Sequence, residues 1–236
     1  SRSDGQFSIV GSSGVVSQQQ CGTSGDIPLT ADMNGDGRAE TLVWRPSQNL
    51  QLPSSFLLCS GASVTPVNLG TLGDIPLSNV DFDGDGRSDL TVFRPSTGDW
   101  YSGLSNGGGL VRVTLGVRGD IPVPADYDGD GRTDRAVYRP IGGKWLIALS
   151  GNLELREIQW GLPYDVPVPG DFDNDGQVDV AVWRPVFGQW LVRRSSAPQA
   201  PLVAQLGLSE DLPFAADING DGTTDFVTYR PKTGQI

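Results

Sequence analysis

An acidic nine-residue loop recurs five times along this chain, and the repetition constrains the fold more than any other feature. The clearest copies, DFDGDGRSD, DYDGDGRTD and DFDNDGQVD, begin at Asp81, Asp126 and Asp171, and weaker copies begin at Asp32 and Asp217. The first residues of successive copies are 49, 45, 45 and 46 positions apart. A period in the forties with strand-like content is typical of a β-propeller, in which each repeat is one blade.

Each repeat divides into four short strands, labelled A to D. Strand A is a segment such as DIPVPAD (120–126), and the acidic loop joins it to strand B, DRAVYRP (134–140). Strand C follows as KWLIALS (144–150) and strand D as LREIQWG (155–161). β-Branched and aromatic residues dominate these segments, and glycine and proline separate them. The sequence therefore predicts an all-β fold.

The two ends of the chain look like complementary halves of one repeat. Residues 6–22 resemble strands C and D without A and B, whereas the segment from Asp211 to the end contains only A and B, on either side of the fifth loop. We predict a single domain over residues 1–236, a five-bladed β-propeller closed by pairing of the N-terminal and C-terminal half-blades, because closure removes exposed sheet edges. The predicted blades span approximately residues 25–70, 73–116, 119–161, 165–207, and 211–236 together with 1–22.

The loop pattern D-x-D/N-x-D-G-x-x-D/E suits a hard cation. Side chains at positions 1, 3 and 5 can converge in a tight loop, position 7 offers its backbone carbonyl, and position 9 adds a carboxylate as strand B begins. An all-oxygen cage of this kind is typical of Ca²⁺, whereas Mg²⁺ demands stricter octahedral geometry. The predicted ligands of about five Ca²⁺ ions are Asp32, Asn34, Asp36, Arg38 and Glu40; Asp81, Asp83, Asp85, Arg87 and Asp89; Asp126, Asp128, Asp130, Arg132 and Asp134; Asp171, Asp173, Asp175, Gln177 and Asp179; and Asp217, Asn219, Asp221, Thr223 and Asp225.

The charge distribution favours metal over the alternative of a plain polar turn. Asp, Asn and Gly dominate turns in general, so a single copy would be weak evidence. Here 18 of the 28 acids lie in the five loops, and the net charge is -11. Carboxylates crowded in this way repel one another unless a cation lies between them. An EF-hand is excluded, because a strand ending at proline follows each loop where that motif needs a helix.

These loops resemble the calcium-binding repeats of the FG-GAP and VCBS families, which are similar to the blades of the integrin α-subunit propeller. The resemblance implies Ca²⁺ in the loop between strands A and B and an extracellular or cell-surface location. It also implies a role in adhesion, in carbohydrate binding or as an accessory module of a larger secreted protein. The chain has five repeats rather than seven and lacks a clear FG…GAP signature, so the ligands of integrins do not transfer.

Three further sets of residues recur or stand out. Trp100, Trp145 and Trp190 begin strand C and are expected in the core. Cys21 and Cys59 either form a disulfide between neighbouring blades or stay as two buried thiols. An aromatic-Arg-Pro triplet ends every strand B, at 44–46, 93–95, 138–140, 183–185 and 229–231.

The triplet arginines have two interpretations. Each can pair with the aspartate that opens a neighbouring strand A, and the five candidates are Asp26, Asp74, Asp120, Asp165 and Asp211. Alternatively, an arginine beside an aromatic ring between blades can hold a sugar. The structural interpretation is favoured, because a residue present in every repeat is more often scaffold than site.

Composition limits the function. The chain has no histidine, which removes Ser-His-Asp and Cys-His catalysis, and the acids outside the loops show no evident convergence. The sequence therefore predicts a protein that is not an enzyme, although a polysaccharide-active enzyme stays as a weaker alternative. The negative charge argues against nucleic acid as a partner, and no apolar run is long enough for membrane insertion.

The leading hypothesis is an extracellular calcium-binding module that binds glycans or a surface protein. The alternatives are a multivalent lectin with sugar sites between blades and a structural spacer of a larger secreted protein. The oligomeric state does not follow from the sequence.

Overall fold

The chain is all β in the part that the computed structural model describes. The described residues are 5–10, 16–60, 63–152 and 154–234. They form twenty strands and no helix, so none of them belongs to a helix that could cross a membrane. The chain divides into two compact units, Ser1–Thr114 and Leu115–Ile236.

The first unit contains two four-stranded sheets and one hairpin. Its strands are β1 (Gln6–Val10), β2 (Val16–Gln20), β3 (Ile27–Ala31), β4 (Glu40–Arg45), β5 (Ser55–Ser60), β6 (Ser63–Asn68), β7 (Ile75–Leu77), β8 (Leu90–Arg94), β9 (Asp99–Leu104) and β10 (Gly109–Thr114). β3 to β6 form one antiparallel meander and β7 to β10 form another, each in chain order, while β1 and β2 pair with each other.

The second unit also contains two four-stranded sheets and one hairpin, but here the hairpin follows the sheets in the chain. Its strands are β11 (Ile121–Pro122), β12 (Arg135–Arg139), β13 (Lys144–Ala148), β14 (Leu155–Gln159), β15 (Val166–Pro167), β16 (Val180–Arg184), β17 (Gln189–Arg193), β18 (Leu202–Gln205), β19 (Leu212–Ala216) and β20 (Asp225–Tyr229). β11 to β14 and β15 to β18 are four-stranded meanders, and β19 pairs with β20.

The described residues thus form four complete blades of the propeller type, not the five that the sequence predicts. β1 and β2 do pair as strands C and D, and β19 and β20 pair as strands A and B. Each pair is a separate two-stranded sheet, however, so closure through a fifth blade is not shown. Residues 1–4, 11–15 and 235–236 of that predicted blade lie outside the described residues.

Burial differs among the four strands of a blade. Strand B is buried on both faces, and in β12 and β16 the four consecutive positions nearest the loop are buried. Strand D alternates: in β14 only every second residue is partly buried. Strand A is short and carries a proline, such as Pro122 opposite Val137, which is tolerated at a sheet edge because proline has no N–H to donate.

Aromatic side chains and one disulfide consolidate the units. Trp100, Trp145 and Trp190 are completely buried, which confirms their predicted place in the core. Cys21 and Cys59 are joined by a disulfide with a Cα–Cα distance of 6.0 Å. Because Cys21 follows β2 and Cys59 lies in β5, this bond ties the N-terminal hairpin to the first blade, and it settles the question of the two cysteines.

Candidate functional site

Each acidic loop is folded around the carboxylate of its first aspartate. In the third loop, Asp126 accepts hydrogen bonds from the backbone N–H groups of Gly129 at 2.7 Å, Asp130 at 3.2 Å and Gly131 at 2.8 Å. The chain turns so tightly that Gly129 and Gly131 have φ values of 77° and 83°, a region that favours glycine. The same type of bond organises the other loops around Asp32, Asp81, Asp171 and Asp217.

The carboxylate at position 9 fastens the loop to its sheet. Asp134 is buried, and its two oxygens accept the N–H groups of Tyr127 at 2.9 Å and Ser150 at 2.7 Å. Asp89 and Asp179 make the same pair of bonds in the neighbouring repeats. Burial raises the pKa of Asp134, and the charges of two nearby loop aspartates add to the rise against the effect of the N–H donors. A nearby cation would stabilise the charged form of such a group.

Three loops bring three carboxylates together. The clusters are Asp81, Asp83 and Asp85; Asp126, Asp128 and Asp134; and Asp171, Asp173 and Asp179. In each cluster one oxygen from every residue lies within 4.8 Å of the others. One oxygen of Asp83 and one of Asp173 are buried and have no hydrogen-bond partner among the described residues. Buried oxygens that converge without donors are suited to a cation.

The first and fifth loops differ, because asparagine stands at position 3. The Asn34 amide donates to Glu40 at 2.8 Å, and the Asn219 amide lies 3.4 Å from the Asp225 carboxylate. Each amide therefore faces the position 9 carboxylate with a donor. No cluster of three carboxylates occurs in these two loops within the described part of the chain. The five predicted sites are thus of two kinds, three rich in carboxylate and two poorer.

The remaining predicted ligands lie at positions 5 and 7. The position 7 residues Arg38, Arg87, Arg132, Gln177 and Thr223 donate their backbone N–H groups to the position 5 carboxylates at 2.8 or 2.9 Å. These bonds place positions 5 and 7 side by side. The role of the position 7 carbonyls as metal ligands stays a prediction.

Sequence reasoning missed a serine that braces each carboxylate-rich loop. Ser150 follows strand C, and besides its N–H bond to Asp134 its hydroxyl donates to Asp130 at 3.0 Å. Ser105 and Ser195 do the same in the blades on either side in sequence. The recurrence of serine 16 residues after position 9 is the signal that could have identified it.

Neighbouring loops also contact each other within each unit. The N–H group of Ser88 in the second loop donates to the Asp32 carbonyl of the first at 2.6 Å. In the second unit, Val178 donates to the Asp126 carbonyl at 2.8 Å and Thr224 to the Asp171 carbonyl at 2.7 Å. The residue that anchors one loop is therefore also bonded to the next.

The arginines of the triplets pair with the aspartates that open strand A, as predicted. Nε and Nη2 of each arginine donate to the two oxygens of one aspartate at 2.8 or 2.9 Å. The pairs are Arg45–Asp26, Arg94–Asp74, Arg139–Asp120, Arg184–Asp165 and Arg230–Asp211. Each pair joins the start of strand A to the end of strand B in one sheet. The aspartate side chains are at most 6% exposed.

The aromatic members of the triplets are buried in four of the five repeats, so no ligand can contact them there. Trp44, Phe93, Tyr138 and Trp183 are no more than 1% exposed. They pack against the strand C aromatics, for example Tyr138 against Trp145 with ring centroids 5.3 Å apart. A sugar site built on these rings is therefore excluded.

A cleft of about 430 Å³ in the second unit offers different groups. Its lining includes Val186 and Phe187, in the turn after β16, together with Gln205 and the Arg230–Asp211 pair. The Phe187 side chain is 62% exposed. An exposed ring and a charged pair in one cleft are suited to binding a sugar, because sugars stack on aromatic rings and hydrogen-bond to charged groups.

Comparisons with solved structures show the fold. The chain matches an Agrocybe aegerita lectin that recognises non-reducing terminal N-acetylglucosamine, with 15% identity and a TM-score of 0.62 over 95% of this chain and 69% of the lectin. It also matches a catalytically inactive virginiamycin B lyase from Staphylococcus aureus with quinupristin, with 14% identity and a TM-score of 0.60 over 95% of this chain and 71% of the lyase. No protein-family model and no curated protein matches the sequence, so the resemblance to FG-GAP and VCBS repeats is not confirmed.

The comparison corrects the prediction that the chain is not an enzyme. The lyase is an enzyme, and the lectin is a binding protein, yet both share this fold. At 14% identity the match shows the fold alone. The lack of histidine in this chain removes certain mechanisms, but a fold that supports both catalysis and binding does not decide between them.

Proposed function

We propose that this chain is an extracellular calcium-binding module that binds carbohydrate. The observation that carries the calcium assignment is the convergence of three carboxylates in each of three loops, with a buried oxygen of Asp83 and of Asp173 lacking any described donor. Desolvated carboxylates repel one another at these distances, and a divalent cation reverses the sign of the interaction. Ca²⁺ is favoured, because it accepts irregular all-oxygen cages.

The two asparagine-containing loops are proposed as weaker calcium sites. Their position 1 and position 5 carboxylates are arranged as in the other loops, but the asparagine amide at position 3 contributes no charge. The affinity of such sites for Ca²⁺ is lower when fewer of their ligands are charged.

We also propose, from the repeat alone, that the terminal half-blades close a five-bladed ring.

The calcium assignment is tested by counting metal in purified protein and by thermal melting. We expect at least three Ca²⁺ per chain after equilibration with calcium, and a lower melting temperature in EDTA. Asp173→Asn should remove about one ion, whereas Glu210→Gln, which changes an acid outside the loops, should remove none. A calcium-equilibrated chain without bound calcium, and with the same melting temperature in EDTA, would overturn the assignment.

Carbohydrate binding is supported by the cleft beside Phe187 and by the fold shared with a lectin. We expect glycan-array hits that weaken strongly in Phe187→Ala. Val203→Ala is the matched control, because Val203 is an exposed apolar residue of the same sheet outside the cleft. Calcium binding without any glycan hit would instead favour the spacer function. Hits that persist unchanged in Phe187→Ala would exclude this cleft as the glycan site.

A further inference from the structure

A second cleft in the second unit, of about 380 Å³, differs in character from the one beside Phe187. It lies between β14 and the sheet β15 to β18, beside the fourth acidic loop. Two arginines, Arg156 and Arg193, line it together with Gln177 and with the apolar side chains of Ile147 and Ile158.

The structure provides little pairing for these two arginines. Arg193 is half-buried, and no hydrogen bond or ion pair joins its side chain to any residue of the described ranges. Arg156 makes one long ion pair, 3.7 Å from its Nε to Glu154, and the side chains of Arg156 and Glu154 are both substantially exposed. The triplet arginines, by contrast, each bind a carboxylate through two short bonds. The guanidinium groups in the cleft therefore keep donors for a ligand.

The repeats show that the scaffold does not require these arginines. Arg193 pairs with Val180 across β17 and β16, and the equivalent residue of the first unit is Gly103, opposite Leu90. Arg156 lies opposite Ile147, and the equivalent residue there is Thr65.

The corresponding cleft of the first unit, which includes Gly103, Leu90 and Leu104, carries no charged side chain. A residue present in one repeat alone is a better candidate for a ligand contact than one present in all.

We propose that this cleft binds the carboxylate of an acidic saccharide, such as a uronic acid. A guanidinium fork matches a carboxylate in geometry and charge, Gln177 offers an amide to sugar hydroxyls, and the two isoleucines offer an apolar wall. The cleft is within the size range of small-ligand sites. The inference rests on the proposed carbohydrate-binding function and assigns to it a second site with a distinct ligand class.

The two acids that line the cleft already have partners, which reduces their repulsion of an anionic ligand. Glu157 binds Lys144 at 2.9 Å. Asp179 is buried and accepts the N–H groups of Phe172 and Ser195 at 3.0 and 2.7 Å. Because Asp179 belongs to the carboxylate cluster of the fourth loop, the proposed calcium ion would offset its charge at the edge of the cleft.

The experiment is a calorimetric titration of calcium-loaded protein with trigalacturonate. We expect saturable binding that Arg193→Gln and Arg156→Gln each weaken by about ten- to a hundredfold, the range of a charge-assisted hydrogen bond. Arg194→Gln is the matched control: it removes the same charge from the next residue, whose guanidinium binds the Ala200 carbonyl outside the cleft, and should leave the affinity unchanged.

Several results would overturn the proposal. The first is the absence of trigalacturonate binding, and the second is a loss of affinity in Arg194→Gln equal to that in the two cleft variants. The third is full displacement of the saccharide by inorganic sulfate at the same concentration, because the cleft would then bind any anion. A calcium count and a neutral-glycan array on the same sample distinguish failure of this cleft from failure of the proposed function. Neutral hits without trigalacturonate binding refute this cleft alone, whereas a sample with neither calcium nor glycan binding refutes the proposed function.

Discussion

Removing the guanidinium of Arg184 tests whether the Arg–Asp pairs stabilise the blades. Arg184 donates two hydrogen bonds of 2.9 Å to Asp165, whose side chain is 2% exposed. In Arg184→Met the carboxylate keeps only the N–H of Leu162, at 2.9 Å, among its described side-chain bonds. An unpaired buried charge costs about 3–5 kcal/mol. The Arg184 side chain is 19% exposed, so water replaces part of the interaction and we expect a loss of about 2–4 kcal/mol.

The five repeats supply an internal comparison for this prediction. Arg45 makes the same bidentate bond to Asp26, but its side chain is 46% exposed. Solvent screening should reduce the cost of Arg45→Met to about 1 kcal/mol or less. The double variant Arg184→Met/Asp165→Leu should recover most of the loss, because no buried charge is left unpaired.

Urea unfolding followed by tryptophan fluorescence measures these differences, and thermal melting gives a second estimate. The Arg184→Met loss corresponds to roughly 5–15 °C for a chain of this size. If Arg45→Met destabilises the protein as much as Arg184→Met, burial does not control the strength of the pairs. If the double variant is no more stable than Arg184→Met, the unpaired carboxylate is not the cause of the loss. Either result would refute the reasoning.

Three further predictions concern other parts of the structure. Hydroxyl groups and a guanidinium lower the pKa of Asp99 in the folded chain, so the ionised carboxylate stabilises the fold above the ordinary aspartate pKa of about 4, and this effect is lost as the pH falls below that value. The difference in urea midpoint between wild type and Asp99→Asn should therefore shrink below pH 4. A difference that stays constant with pH contradicts this. Replacing Cys21 and Cys59 by serine opens a link across 38 residues and should cost about 3–4 kcal/mol in urea unfolding, whereas an unchanged midpoint shows that the bond does not constrain the chain. Ser195→Ala should weaken calcium binding at the fourth loop in a calcium titration, because the hydroxyl braces the Asp175 carboxylate, and Ser209→Ala, outside the loops, should not.

Much of the site could be predicted from the sequence because its interactions are local. The carboxylate of Asp126 bonds to residues three to five positions ahead, so the spacing of aspartates and glycines nearly specifies the loop. The identity of the strands also followed from local pattern, since strand B is rich in β-branched and aromatic residues and strand D alternates in burial. The pairing of Arg184 with Asp165, 19 positions apart, was predictable only because the repeat presents one arginine and one aspartate in every copy.

Other features depend on contacts that the repeat does not encode. The described residues form four complete blades where the sequence predicts five, because strand pairing at the chain ends is a long-range event that the pattern of one half-repeat cannot specify. Ser150 lies 20 residues from Asp130, and nothing in the loop pattern points to its hydroxyl.

The two arginines of the second cleft are ordinary surface residues in the sequence. They become a candidate site only because the folded sheets place both of them in the lining of one cleft. Short-range hydrogen bonding and the alternation of side chains along a strand are written in neighbouring residues, so the sequence by itself determined the acidic loops and the β class of this protein. Which side chains face one another across separate strands and sheets depends on how distant segments pack, and only the tertiary structure decided it.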